Sequence, residues 1–281
     1  MNPVRCGIHL LQAGSCSHPE AASIIGGRMA SVAFPALSAL ILHPTHGALL
    51  WDTGYDPAFF RATRRWPEKL YALTTLVSFS DDQAVARQIE RFGLSPDDIR
   101  GVIISHFHGD HVAGLGSFPG SRIYCARAGL SQVRAVGRFA GVRKGLLPDL
   151  VPPDAEARAV FFEDRPRRAL PPELLPFKTG ADLLDDGSLL AVELPGHCVG
   201  HWGLAVRGED DRWRLFVGDA AWSRRAIREN RPPPRLTTDL LGQTDPYRRT
   251  LADLHALHAR GTDTVLAPSH CSETAAEAVA R

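Results

Sequence analysis

A short apolar run, Val102-Ile103-Ile104, stops abruptly at Ser105-His106-Phe107-His108-Gly109-Asp110-His111. No other stretch of the chain restricts its fold as strongly. The β-branched run reads as a buried strand, and the cluster behind it has the form His-x-His-x-Asp-His. Neutral imidazoles are good ligands for borderline divalent metals, and a carboxylate adds a hard anionic oxygen. Four ligands in six residues are too many for one catalytic ion that must keep a position open for water. On an extended loop, His106 and His108 project to one side and leave Asp110 and His111 to a second ion. The motif therefore asks for a two-metal site and for further ligands downstream.

Those ligands are present. His197 stands in Leu194-Pro195-Gly196-His197-Cys198-Val199-Gly200-His201, Asp219 in Phe216-Val217-Gly218-Asp219, and His270 in Ala267-Pro268-Ser269-His270. Each follows an apolar, strand-like run, and strands that each deliver one ligand at their ends build a site along the edge of a sheet. A boundary anywhere between residues 106 and 270 would split the site, so the 281 residues are read as one domain, 1–281.

The rest of the chain supports a sheet protein with helices. Cys6 to Leu11 reads as a strand, and residues 13–36, rich in Gly, Ser and Ala, as a long loop. Ala36 to Leu42 and Ala48 to Trp51 are two apolar runs joined by a His43-Pro44-Thr45-His46-Gly47 turn, a hairpin signature. Pro57 to Leu76 reads as a surface helical segment. Asp81 to Phe92 has helical spacing closed by Gly93, and Ser95-Pro96-Asp97-Asp98 carries a capping pattern. Arg122 to Cys125 is a strand and Ala126 to Val136 a helix. Residues 137–187 hold many Arg and Pro around Val160-Phe161-Phe162, and are read as an insertion covering the pocket or as a solvated loop. Ser188 to Leu194, Trp202 to Val206, Trp213 to Val217 and Thr264 to Pro268 are strand-like. Asp245 to Arg260 carries Leu251, Leu254 and Leu257 on one helical face, and the tail after His270 is helical.

Charge and cysteine content exclude several classes. A formal net charge of +1 gives no global electrostatic case for nucleic acid or acidic lipid. The arginines after Asp219 (Arg224, Arg225, Arg228, Arg231, Arg235), interleaved with Glu229 and three prolines, read as a solvated loop. No apolar run approaches the roughly 20 residues of a membrane span, and the first residues carry no signal-peptide pattern. Five scattered cysteines suit reduced thiols of a cytoplasmic protein. Cys198 and Cys271 each follow a ligand-type histidine directly, and on extended backbone would point away from it as buried thiols.

The motif and its three downstream partners resemble the metallo-β-lactamase-fold hydrolases from near residue 5 to the C-terminus. The resemblance implies an αββα sandwich with a dinuclear centre. By it, His106, His108 and His197 hold the first metal, Asp110, His111 and His270 the second, and Asp219 bridges them. The ions are two divalent metals, zinc by default, with iron, manganese or cobalt as alternatives. It also sets Asp52, of Asp52-Thr53-Gly54, beneath the metal loop to orient a ligand imidazole; a plain turn carboxylate is the other reading. The activity implied is opening of a small ester-like bond by a hydroxide held between the two metals, with Asp110 as proton shuttle. The substrate is a small molecule, and a homodimer is left open. The nearest likeness is to the N-acyl homoserine lactonases, with a phosphotriesterase or thioester hydrolase, or a silent metal-binding protein, as alternatives. Those lactonases place a Tyr three residues after the bridging Asp; here that position is Trp222, read as a wall of the substrate pocket. His9, His18, His43, His46, His201, His255 and His258 need no role in the site.

Overall fold

Strand runs that are apolar at nearly every position build two mixed sheets, because both faces of each sheet are covered. The computed structural model describes residues 4–279. The first sheet holds β1 (Gly7–Pro19), β2 (Ser31–His43), β3 (Gly47–Trp51), β4 (Leu76–Ser78), β5 (Ile99–Ile103), β6 (Arg122–Cys125) and β7 (Ala159–Phe161), in the order β4-β1-β2-β3-β5-β6-β7. The second holds β8 (Arg167–Ala169), β9 (Thr179–Asp182), β10 (Leu189–Glu193), β11 (Trp202–Arg207), β12 (Trp213–Gly218) and β13 (Val265–Pro268), in the order β13-β12-β11-β10-β9-β8. β3, β5, β6 and β7 run parallel, as do β12 and β13; the other pairs are antiparallel.

Side chains sort themselves by the two-residue period of a strand. On β3, Leu49 and Trp51 enter the layer between the sheets while Ala48 and Leu50 face outward. On β10, Leu189 and Ala191 enter the same layer, and Leu190 and Val192 face the opposite side. Trp51 meets Phe216 there, ring centroids 5.9 Å apart. Phe59, Val85, Ile89, Leu130 and Val133, from helical segments, cover the outer face of the first sheet. Ile227 and the stripe Leu251, Leu254 and Leu257 cover the second. Helix, sheet, sheet and helix stack in that order, which is the αββα sandwich.

Three segments differ from the sequence reading. Residues 13–36 are mostly strand. Gly14 at φ 80° makes a bulge between Gln12 and Ser15, and β1 then resumes pairing with β2 as far as Pro19. Of the arginines after Asp219, Arg224, Arg225 and Arg228 lie in a helix: Ser223 accepts from Ala226 N–H as N-cap of Arg224–Glu229, which ends at left-handed Asn230, while Arg231 stays in the loop beyond it and Arg235 opens the next helix. Their charges are matched locally: Arg228 makes two bonds to Glu273 at 2.8 and 2.9 Å, Arg224 pairs with Glu277, and Arg225 and Arg231 share Glu229. Within 137–187, only Val142, Arg143 and Gly145 line the cavity beside the His/Asp cluster, whereas β7 and the β8–β9 pair extend the edges of both sheets. No helix among the described residues is long and apolar enough to cross a membrane.

Candidate metal centre

The site lies where β3, β5, β12 and β13 end and where β10 turns toward β11. Ile104 N–H still bonds Tyr124 O at 2.8 Å, and the chain then leaves the sheet. After His108 it coils into a helical turn, Gly109–Val112, rather than staying extended. That turn sets Asp110 and His111 toward His270, while the His111 ring stays beside His106, centroids 4.0 Å apart.

The first group is formed by His106, His108 and His197. His106 Nε2 and His197 Nε2 each stand 3.0 Å from His108 Nδ1. In the second, Asp110, His111 and His270 approach within 4.8 Å of one another, with His270 Nε2 3.3 Å from Asp110 Oδ2. Asp219 lies between the two. Its Oδ1 is 3.4 Å from His111 Nε2, and its Oδ2 is 3.3 Å from His197 Nε2 and 3.2 Å from His270 Nε2. All seven side chains named from the sequence therefore meet at one place.

The donor set fits divalent metal. Ligand atoms about 2.0–2.2 Å from a shared ion sit roughly 3–3.5 Å apart, which is the spacing of His108 Nδ1 from the nitrogens of His106 and His197. His111 Nε2 and Asp219 Oδ1 are buried and have no hydrogen-bond partner, a costly arrangement that an ion between them would relieve. Burial and neighbouring imidazoles hold His106 and His197 well below the usual histidine range, and His108 at about 4, burial being the main cause. Their lone pairs are thus free at neutral pH. His111 and His270 are raised despite their burial, because Asp219 and Asp110 face both and Asp52 also faces His111. Asp219 is likewise buried, yet His270, His111 and His197 keep it ionised.

A second layer fixes the ligands. Asp52, fully buried, accepts from Ser105 N–H, Ser105 Oγ–H and His111 Nδ1–H, each at 2.8 Å. Its backbone sits at φ 51°, a region that Asp tolerates better than most residues. His201, which the sequence reading left without a role, bonds Leu194 O through Nδ1 at 2.9 Å and accepts from Asp219 N–H through Nε2 at 3.0 Å. It ties the end of β10 to the Asp219 backbone. Only its four-residue spacing from His197 hinted at this.

That position makes His201 measurable. Burial lowers it from 6.5 to about 4, so between those values the unfolded chain takes a proton that the fold refuses, and stability falls as pH drops. That difference corresponds to roughly 3 kcal/mol. In metal-free protein, the stability advantage of wild type over His201→Gln should shrink by about that much between pH 8 and pH 4, read by denaturant unfolding. A constant gap would mean that the imidazole is not held neutral.

His43, His46 and Asp186 form another ligand-type group between the β2–β3 turn and the start of β10. Its chemistry is different. His43 Nδ1 accepts from the N–H groups of Thr45 and His46 at 3.2 and 3.0 Å, so its proton must sit on Nε2, directed at Ser188 Oγ and Asp186. That nitrogen has no lone pair for an ion.

The His/Asp cluster opens into a cavity of about 380 Å³ whose walls include Cys16, Phe34, Tyr55, Tyr71, Arg143, Trp222, Leu236 and Leu240. Trp222 stands edge-on to His197 and His270, centroids 6.2 and 6.0 Å away, and against Phe34 at 5.8 Å. The loop bearing His197 is seated backbone against backbone: a Cβ on Gly196 (φ 128°) would fall 2.1 Å from Tyr247 N, and one on Gly242 would fall 2.2 Å from Gly196 O and His197 O.

A family profile described as "Metallo-beta-lactamase superfamily" matches residues 32–262. Among curated proteins, the N-acyl homoserine lactonase AiiB of Agrobacterium fabrum is 29% identical over 238 residues, covering 82% of this chain and 78% of that protein. The probable metallo-hydrolase Rv2300c of Mycobacterium tuberculosis is 28% identical over 202 residues, 66% of this chain and 56% of its own. Among solved structures, an N-acyl homoserine lactone hydrolase with N-hexanoyl-L-homoserine bound at its catalytic metal centre superposes with a TM-score of 0.73 at 16% identity, covering 98% of this chain and 96% of that one. AidC, a dizinc quorum-quenching lactonase, gives 0.64 at 13% identity, covering 97% of this chain and 90% of that one.

Proposed function

This chain belongs to the metallo-beta-lactamase superfamily, and from that premise we propose that it is a metal-dependent hydrolase that opens the ester bond of a lactone, of the N-acyl homoserine kind. The observation that carries the reading is Asp219 set between two ligand groups that converge on one cavity. The relatives support the substrate: AiiB and AttM, its matches over most and about half of this chain, are N-acyl homoserine lactonases. They do not favour a phosphotriester or thioester as the preferred substrate. A role in degrading acyl homoserine lactone signals follows from the same chemistry.

His106, His108 and His197 would hold one ion, Asp110, His111 and His270 the other, and Asp219 would touch both. Divalent ions bound there, zinc by default, supply Lewis acidity and make water acidic enough to serve as nucleophile at neutral pH. The chain's own groups do the rest. Asp110, whose side chain is 12% exposed at the cavity and 3.3 Å from His270, takes the proton of the attacking water and returns it to the leaving alkoxide. Trp222 and Phe34 exclude solvent and shape the space beside the reacting bond, with Trp222 as wall rather than donor. The candidate ligands come from both sheets, so we treat 1–281 as a single domain in which the segment at 138–147 shapes the pocket. The five cysteines are all free, which suits a reducing compartment.

The test is elemental analysis of protein purified without added metal, followed by a panel of lactones, phosphotriesters and thioesters. About two ions per chain and turnover of acyl homoserine lactones at least about tenfold above the other classes are expected. Faster phosphotriester turnover, or full activity at one ion, would overturn the reading.

A further inference from the structure

We propose that Cys198 is a fourth ligand of the first metal position, completing a set with His106, His108 and His197. The inference rests on the reading of those three histidines as ligands. Its geometric basis is that Cys198 Sγ lies in the same group as their nitrogens, all ligand atoms within 4.8 Å of one another. Neighbouring residues on a strand point apart, but residues 195–200 are successive turns, so His197 and Cys198 are free to face the same point. Two glycines with positive φ, Gly196 and Gly200, bound that turn. A Cβ at Gly200 would fall 2.6 Å from Gly129 N, so the backbone is held from both sides.

The thiol has no competing use. It makes no hydrogen bond among the described residues, whereas Cys271, beside His270, accepts from Arg224 N–H at 3.3 Å. Three imidazole nitrogens and one thiolate are a donor set suited to a borderline metal, and sulfur selects zinc, cobalt or iron over magnesium and calcium. Binding replaces the thiol proton by the metal, and that proton leaves to water. The two positions are then chemically unequal. The first has four donors of its own beside the shared Asp219, while the second has three, Asp110, His111 and His270, and keeps more of its coordination open toward the cavity.

Cobalt(II) loading of the full chain tests this without reference to turnover. Wild type at full cobalt occupancy should show a near-ultraviolet sulfur-to-cobalt charge-transfer band, Cys16→Ser should keep it, and Cys198→Ser should lose it. Competition with a chelator should show the first cobalt of Cys198→Ser bound at least about tenfold more weakly. Full cobalt loading without the band in wild type, a band that survives Cys198→Ser, or one that vanishes in Cys16→Ser would each overturn the assignment of Cys198 while leaving the histidines in place. A wild-type chain that takes up no cobalt would overturn both the ligand reading and the proposal built on it.

Discussion

Asp219→Ala is expected to lower lactone turnover by about a thousandfold or more and to release the second ion before the first. Outer-layer changes at metal sites already cost 10–100-fold, and Asp219 places carboxylate oxygens within 3.5 Å of nitrogens from both groups. Removing it leaves His111 Nε2 with no anionic oxygen nearer than Asp110 at 3.8 Å. The first group retains His106, His108 and His197, which contact one another independently of Asp219. Metal counts per chain, taken beside rates, decide the matter. Loss of both ions together would mean that Asp219 holds the whole cluster and does not span two separable positions.

Asp52→Asn should weaken the second ion by about 10–100-fold and reduce turnover in step when metal is limiting. The amide keeps the shape and still accepts from Ser105, but it withdraws the negative charge from His111 Nδ1–H. The carboxylate is buried, and burial pushes its pKa up, with His111 and Ser105 opposing that shift. Removing the charge therefore also removes a desolvation cost, so the fold should survive. Excess metal should restore most of the rate. A rate that stays low at saturating metal would place Asp52 in the chemistry itself rather than behind His111.

The convergence of the seven candidate ligands was legible in the sequence because most members end an apolar run and sheets deliver such ends to a common edge. What escaped depended on contacts that no local pattern records. His201 looked idle because its two partners, Leu194 O and Asp219 N–H, are backbone atoms 7 and 18 residues away. Cys198 was read as pointing away because the turn at 195–200 has no apolar period to reveal it. β1 was cut short because the bulge at Gly14 shifts the alternation by which a strand is recognised. β7 and β8 have only three residues each, too few for a two-residue period to register. The hairpin at residues 43–47 and the helix at 244–259 were plain because their signals, a tight polar turn and a leucine stripe, are local.

The seat of His197 between Gly196, Gly242 and Tyr247 divides the molecule into parts with different freedom to vary. Leu236 and Leu240 stand at the cavity mouth, 82% and 47% exposed, and changing them costs the fold little. The helix that carries them ends at Gly242, whose backbone touches the loop bearing the candidate ligand His197 with no clearance. Drift at the mouth can retune which acyl group is accepted, but an inserted atom at either glycine would displace His197. In directed evolution toward new substrates, the leucines are the positions to randomise and the glycines the ones to leave untouched.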